Sequence, residues 1–230
     1  MDARPPQESE PNGIRLTMCS CSLPEQEPAR RVLEILRENG AEFYRGTRPD
    51  PVPESRQTKT GSIVVPLEFS HVSLRRDLGL RPRRVSVGFG RLGFIASSRS
   101  VLVSQTVDSR VMDRVAAGQL EFLTSFYSEL DPKYSWIDER GNNANPKRVA
   151  SLQSIKYVFW VNAFGPELAD TLGAEFFSNC PADKVESLGV GGVVVLATRK
   201  YSDWYHSAGS KLVTYFAQRI PGVSKFRAAE

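Results

Sequence analysis

Residues 155–170 read IKYVFWVNAFGPELAD. Tyr157, Val158, Phe159, Trp160 and Val161 make an aromatic and β-branched run, the composition of a buried strand. The run stops at Asn162. Gly165-Pro166 then opens a short helix to about Leu172, since proline suits the first helical turn, where an N–H is not needed. The spacing predicts a strand over 155–161, a turn fixed by Asn162 after that strand, and a helix. The stretch holds no cysteine, histidine or paired carboxylates, so it reads as scaffold.

The flanking segments extend this pattern. Downstream, Val190–Thr198 is strongly β-branched and predicts a strand. A terminal helix is expected over 203–220, with Asp203 as N-cap and Pro221-Gly222 as its stop. Upstream, Val111, Val115, Leu120, Leu123, Phe126, Tyr127 and Leu130 recur at helical spacing and predict a long helix over 108–130, with Pro132 just beyond. Residues 134–138 (YSWID) alternate as a strand, and 140–147 (RGNNANPK) is rich in turn formers.

In the first half, strands are expected over 14–19, 63–67, 85–89, 94–97 and 101–107. Residues 28–39 predict a helix stopped by Gly40, residues 72–79 a helical turn or two, and the proline-rich 46–61 a surface loop. Strands come in adjacent pairs and do not alternate regularly with helices. That favours an α+β fold, a single domain over 13–230 with a mostly antiparallel sheet and helices packed on one face. Residues 1–12 form a polar, flexible N-terminal tail.

The chain has 230 residues, 40% hydrophobic and 24% charged, and a net charge of +4. A chain this long buries roughly 70% of its unfolded surface and needs no staples. Three cysteines, with Cys19 and Cys21 two apart, point to reduced thiols and not to a disulfide framework or a four-ligand zinc site. No apolar run reaches the ~20 residues of a membrane helix, and the N-terminus lacks the apolar core of a secretory signal. The expected location is the cytoplasm.

Charge is uneven. Residues 75–99 hold seven arginines (Arg75, Arg76, Arg81, Arg83, Arg84, Arg91, Arg99) and a single acid, Asp77. Residues 119–139 hold Glu121, Glu129, Asp131, Asp138 and Glu139 against Lys133 alone. The first segment suits phosphate or an acidic protein; the second suits a basic partner.

No motif carries catalysis. Gly88, Gly90 and Gly93 fit G-x-G-x-x-G, but a dinucleotide site needs a helix directly after it, and FIASSRSVLVSQTV is strand-like. A hairpin or bulge explains these glycines better. Phe89 and Phe94 partly match an RNA-recognition sheet, with Arg91 where a stacking aromatic belongs. His71 and His206 are the only histidines, and a hydrolase pairing of Cys180 with a histidine, or of a serine with His206, is left open. The carboxylate pairs Asp138-Glu139 and Glu25/Glu27 lie in no metal or glycosidase constellation, and Asp138-Glu139 reads as an exposed acidic corner. No cofactor and no metal is called for.

YVFWVNAFGPELAD, together with the upstream LDPKYSWID and the downstream VGGVVVLAT, resembles the immunity protein 52 family of bacterial polymorphic toxin systems. The likeness covers roughly residues 110–205. It is carried by Tyr134, Trp136, Trp160, Asn162 and Phe164-Gly165-Pro166-Glu167. The resemblance implies a small cytosolic α+β protein, not an enzyme, that binds and neutralises a cognate toxin. That toxin is commonly a nuclease of restriction-endonuclease-like fold delivered by a type VI secretion system. The implied mechanism is stoichiometric steric occlusion. Trp136, Asp138, Glu139, Trp204 and Tyr205 are the expected toxin-binding residues, as aromatic and acidic anchors at element ends. The alternative is a nucleic-acid-binding module using the Arg75–Arg99 basic face.

Overall fold

The computed structural model describes residues 13–22, 31 and 34, the strands between 42 and 105, and residues 112–139, 149, 151–207 and 209–225. The strands are β1 (Ile14–Cys19), β2 (Glu42–Arg45), β3 (Arg48–Pro49), β4 (Arg56–Gln57), β5 (Ile63–Leu67), β6 (His71–Arg76), β7 (Arg83–Gly88), β8 (Leu92–Ser97), β9 (Ser100–Gln105), β10 (Tyr134–Glu139), β11 (Tyr157–Val158), β12 (Val161–Phe164), β13 (Lys184–Ser187), β14 (Val193–Leu196) and β15 (Ser224–Lys225). The helices are α1 (Met112–Leu130), α2 (Pro166–Leu172), α3 (Ala174–Ser178), α4 (Tyr201–His206) and α5 (Ser210–Ala217).

Nine strands form one sheet in the order β13-β14-β12-β10-β1-β9-β8-β5-β4, with every neighbouring pair antiparallel. The class is α+β, as the sequence indicated. A smaller sheet runs β3-β2-β6-β7, and β11 pairs in parallel with β15. The central register sets Thr17 opposite Trp136 and Trp136 opposite Asn162. Because side chains alternate, Cys19, Tyr134, Trp136, Asp138, Asn162 and Phe164 share one side of the sheet. Phe164 meets Phe177 of α3 and Phe216 of α5 there, at 5.8 and 5.9 Å between ring centroids. Ile14, Leu16, Met18, Ile137 and Val161 point the other way and are also buried.

α1 contacts β1 and β10 through a buried stripe that includes Val115, Gln119, Phe122, Leu123, Phe126 and Leu130. Spacing of three and four gives such a stripe. Gln119 Nε2 donates to the Ile14 carbonyl at 3.2 Å, tying the helix to the first strand. No helix among the described residues is long and apolar enough to cross a membrane.

Six local expectations are corrected. The strand expected over 155–161 is broken at Phe159-Trp160, and Asn162 lies inside β12. The Asn162 side chain accepts from Phe159 N at 3.2 Å and donates to Phe159 O at 2.9 Å, so it fixes the break before it and not a turn after it. The single terminal helix is two. Gly209, at φ 61, takes a left-handed conformation that a Cβ would oppose, and α5 restarts from it. Asp203 is not its N-cap: α4 begins at Tyr201, and Asp113 of α1 accepts from Ser202 N and Oγ at 2.8 and 2.9 Å. Of the helical turn expected over 72–79, residues 72–76 lie in strand β6, whose Val72 and Leu74 alternate and pair with Val87 and Val85 of β7; residues 77–79 lie outside the described residues. Finally, Gly88 ends β7 and Gly93 lies within β8, strands of different sheets, so β7 and β8 do not pair as a hairpin; residues 89–91 lie outside the described residues.

The loop expected over 46–61 contains the short strands β3 and β4. In the helix expected over 28–39, Arg31 and Glu34 are helical; its other residues, the tail 1–12 and the loop 140–147 lie outside the described residues.

Candidate functional site

Asp138 organises the carboxyl-terminal half of the chain. It is only 4% exposed at the end of β10. Its Oδ2 accepts from Trp160 N at 3.0 Å and Trp204 Nε1 at 3.1 Å, and its Oδ1 accepts from Tyr201 Oη at 3.2 Å. A buried carboxylate is costly unless hydrogen-bonded, and here donors from the β11–β12 break and from α4 converge on it. Trp160 crosses the Tyr201 ring edge-on at 5.6 Å and sends its indole N–H to the Thr198 carbonyl at 2.9 Å.

The expected toxin-binding residues are thereby redistributed. Trp136, Asp138 and Trp204 are 4%, 4% and 2% exposed, so none can anchor a partner on the folded surface. The reason is aromatic packing and hydrogen bonding inward. Trp136 stacks on Phe159 at 5.2 Å, and Trp204 serves Asp138. Asp138 is therefore not the exposed acidic corner expected of it. Tyr205 is half-buried, its ring between Tyr201 and His206. The side chain of Glu139 lies outside the described residues, as do those of His71 and the arginines from Arg75 to Arg91.

Cys180 is half-buried, and burial pushes its thiol up to about 11. A cysteine nucleophile needs the opposite shift. Burial likewise pushes Cys19 up to about 12, and raises Tyr134, with the nearby Cys19 and Asp138 charges adding to the effect. Among the described residues no three His, Cys, Asp or Glu side chains cluster as metal ligands.

Among the described residues, a shaped surface feature lies elsewhere, where β1, β10 and α2 begin or end. A cleft of about 220 Å³ is bordered by Ser20, Ser22, Asp131, Lys133, Pro166 and Glu167. Ser20 and Asp131 both hold left-handed backbone, at φ 55 and 41. Asp131 stands just past α1, where its N–H bonds to Tyr127 O at 2.8 Å. Its carboxylate accepts from Ser22 Oγ at 3.2 Å. Backbone bonds from Ser22 N to Leu130 O, Lys133 N to Cys19 O and Gly165 N to Lys133 O, at 2.9, 3.0 and 2.8 Å, hold the walls. Gly165 permits this approach, since a Cβ there would lie 2.8 Å from Pro132 O. Lys133 Nζ meets Glu167 Oε2 at 2.7 Å across the mouth, with the Glu167 side chain largely and the Lys133 side chain partly in solvent. Beside the cleft the turn Gly189–Gly191 rests against Pro166. Val190 at its tip is 62% exposed and at φ 54, a conformation that a β-branched residue adopts only under constraint.

Sequence reasoning missed this cleft because serine, aspartate, lysine and glutamate at a surface carry no motif. The available signal was Asp131 directly after a long helix and before proline, the position where a left-handed residue ends a helix.

No protein-family model matches the chain, and no curated protein matches it. Among solved structures, the chain is similar to "Pseudomonas aeruginosa T6SS protein PA0821", at 13% identity and a TM-score of 0.46, over 92% of this chain and 73% of that one.

Proposed function

We propose that the protein is an immunity protein that binds a bacterial toxin and neutralises it by covering its working surface, one to one. The reading rests on one observation. The residues that carry the resemblance, separated along the chain, close on one another in space. Tyr134 Oη donates to Asn162 Oδ1 at 2.8 Å, Trp136 stacks on the Phe159 that Asn162 holds, and the Tyr134 and Phe164 rings lie 5.3 Å apart. Gly165 packs on Lys133, and Pro166 and Glu167 are left over to border the cleft. The signature is therefore a coherent structural unit with one edge at the surface.

In this reading the protein makes and breaks no bonds, acts in the cytosol of the producing cell, and needs no cofactor. Its partner is a nuclease of restriction-endonuclease-like fold delivered by a type VI secretion system. Protection from a lethal enzyme requires a dissociation constant of about 1 nM or below. Co-expression with the polypeptide encoded beside it tests the reading. Survival of the host and a one-to-one complex on purification are expected. Failure to protect, or substrate turnover by the purified protein, overturns it.

A second reading rests on the register of β6 and β7, which sets Arg75 opposite Arg84 and Arg76 opposite Arg83. Like charges directly across a ladder are unfavourable, and a polyanion would relieve them. Beyond Ser73, where β2 stops pairing with β6, β6 and β7 run on as a two-stranded ribbon, a shape that the major groove of DNA admits. Affinity for a DNA duplex that falls linearly in log–log plots against salt would favour this reading.

A further inference from the structure

We infer that the cleft between Asp131 and Glu167 is the anchor pocket of the toxin interface, and that it receives an arginine or lysine side chain from the basic, nucleic-acid-binding surface of the toxin. The inference rests on the immunity reading and specifies which face of the protein binds.

Three features of the cleft support it. The first is charge. The chain carries a net +4, yet among the described residues that line the cleft the charged side chains are Asp131 and Glu167 against Lys133. Lys133 is engaged by Glu167, whereas Asp131 pairs with no cation among the described residues and takes only the Ser22 hydroxyl. An incoming cation therefore meets an available carboxylate flanked by hydroxyls, with the Glu167 carboxylate at the other side of the opening. The second is preorganisation. The backbone bonds that fix the walls are made within the free protein, so little ordering cost remains for binding. The third is the apolar rim. Pro132, Pro166 and Leu168 line the cleft and suit the aliphatic stem of a long basic side chain. Val190, 62% exposed, belongs to the turn whose Gly191 lies against Pro166, and adds exposed apolar surface near that lining residue. An apolar centre with a charged partner is the pattern of an interface hot spot. The occupant's charge follows from the reading itself, because a nuclease must present a basic surface to its substrate.

The test uses the full chain and the toxin domain encoded beside it. The paired substitution Asp131→Asn with Glu167→Gln removes both charges and preserves shape, and asparagine tolerates the left-handed backbone at 131. Val190→Asp is a second, independent variant, and Lys211→Glu on the exposed face of α5 is the control. Circular dichroism and urea midpoints confirm that each variant folds. Loss of affinity of about tenfold or more in the paired variant, and in Val190→Asp, with Lys211→Glu unchanged, is the expected result. If wild type protects and binds while both cleft-face variants bind within about threefold of it, the cleft is not the anchor and the immunity reading stands. If wild type neither protects nor binds, both fall together.

Discussion

Trp204 donates its indole N–H to the buried Asp138 carboxylate at 3.1 Å, across 66 residues of sequence. The same oxygen takes the Trp160 backbone N–H, and the other oxygen takes the Tyr201 hydroxyl. Removing the acceptor leaves three buried donors unsatisfied at once. Asp138→Ala is expected to cost about 3–5 kcal/mol, and Trp204→Phe, which removes a single donor, about 1–2 kcal/mol. Urea denaturation of both variants measures the difference; equal losses would show that Asp138 is not the shared acceptor.

Asn162 holds the break between β11 and β12 with both ends of its amide. Asn162→Asp keeps the acceptor for Tyr134 and Phe159 N but sets a carboxylate against the Phe159 carbonyl. It should destabilise by more than Asn162→Ala, for which a loss of about 2–3 kcal/mol is expected. Thermal unfolding of the two variants side by side gives the order.

Gly165 is dictated by closeness, not by an unusual φ. A methyl group there meets Pro132 O at 2.8 Å and Lys133 Cα at 3.0 Å, and both are backbone. Gly165→Ala should cost about 1–3 kcal/mol and widen the cleft mouth. Chemical denaturation measures the cost, and a stable, unshifted variant would show that the β10–α2 contact is looser than described.

Lys225 caps α4. Its ammonium donates to the carbonyls of Trp204, Tyr205 and Ser207 and lies 4.7 Å from the centre of the Trp204 ring. Lys225→Met keeps the stem and removes the charge. A loss of about 1–2 kcal/mol is expected, with red-shifted tryptophan emission as α4 loosens.

Cys19 gives a pH dependence of defined sign. Burial raises its pKa from 9.0 to about 12, so the folded state keeps the proton that the unfolded state releases. The resulting stability is complete below pH 9.0 and is lost as pH rises toward about 12. Wild type should therefore lose more stability than Cys19→Ala between pH 8 and pH 10.5. Parallel urea midpoints isolate the thiol from the buried tyrosines, which both proteins share.

Much of the fold could be read locally. β1, β5 and α2 lie where the sequence placed them, because two-residue alternation, a short apolar run and a Gly-Pro helix start are properties of neighbouring residues. The candidate site could not. Trp136, Asp138 and Trp204 look like surface anchors one residue at a time, since tryptophan and aspartate at element ends usually are half exposed. Asp131, Lys133 and Glu167, which do face solvent, look like ordinary loop charges.

The sequence by itself determined the α+β class, the long helix α1, the strand β10, the helix α2 and the uneven charge, all of which follow from composition and period. Only the tertiary structure decided that Asp138 is an internal acceptor and Asp131 an available one. The donors that claim Asp138 come from residues 22, 63 and 66 positions away, whereas Asp131 is held at a helix end with its carboxylate outward. Whether a charged side chain is consumed by the core or offered to a partner depends on which distant groups reach it, and local sequence does not encode that.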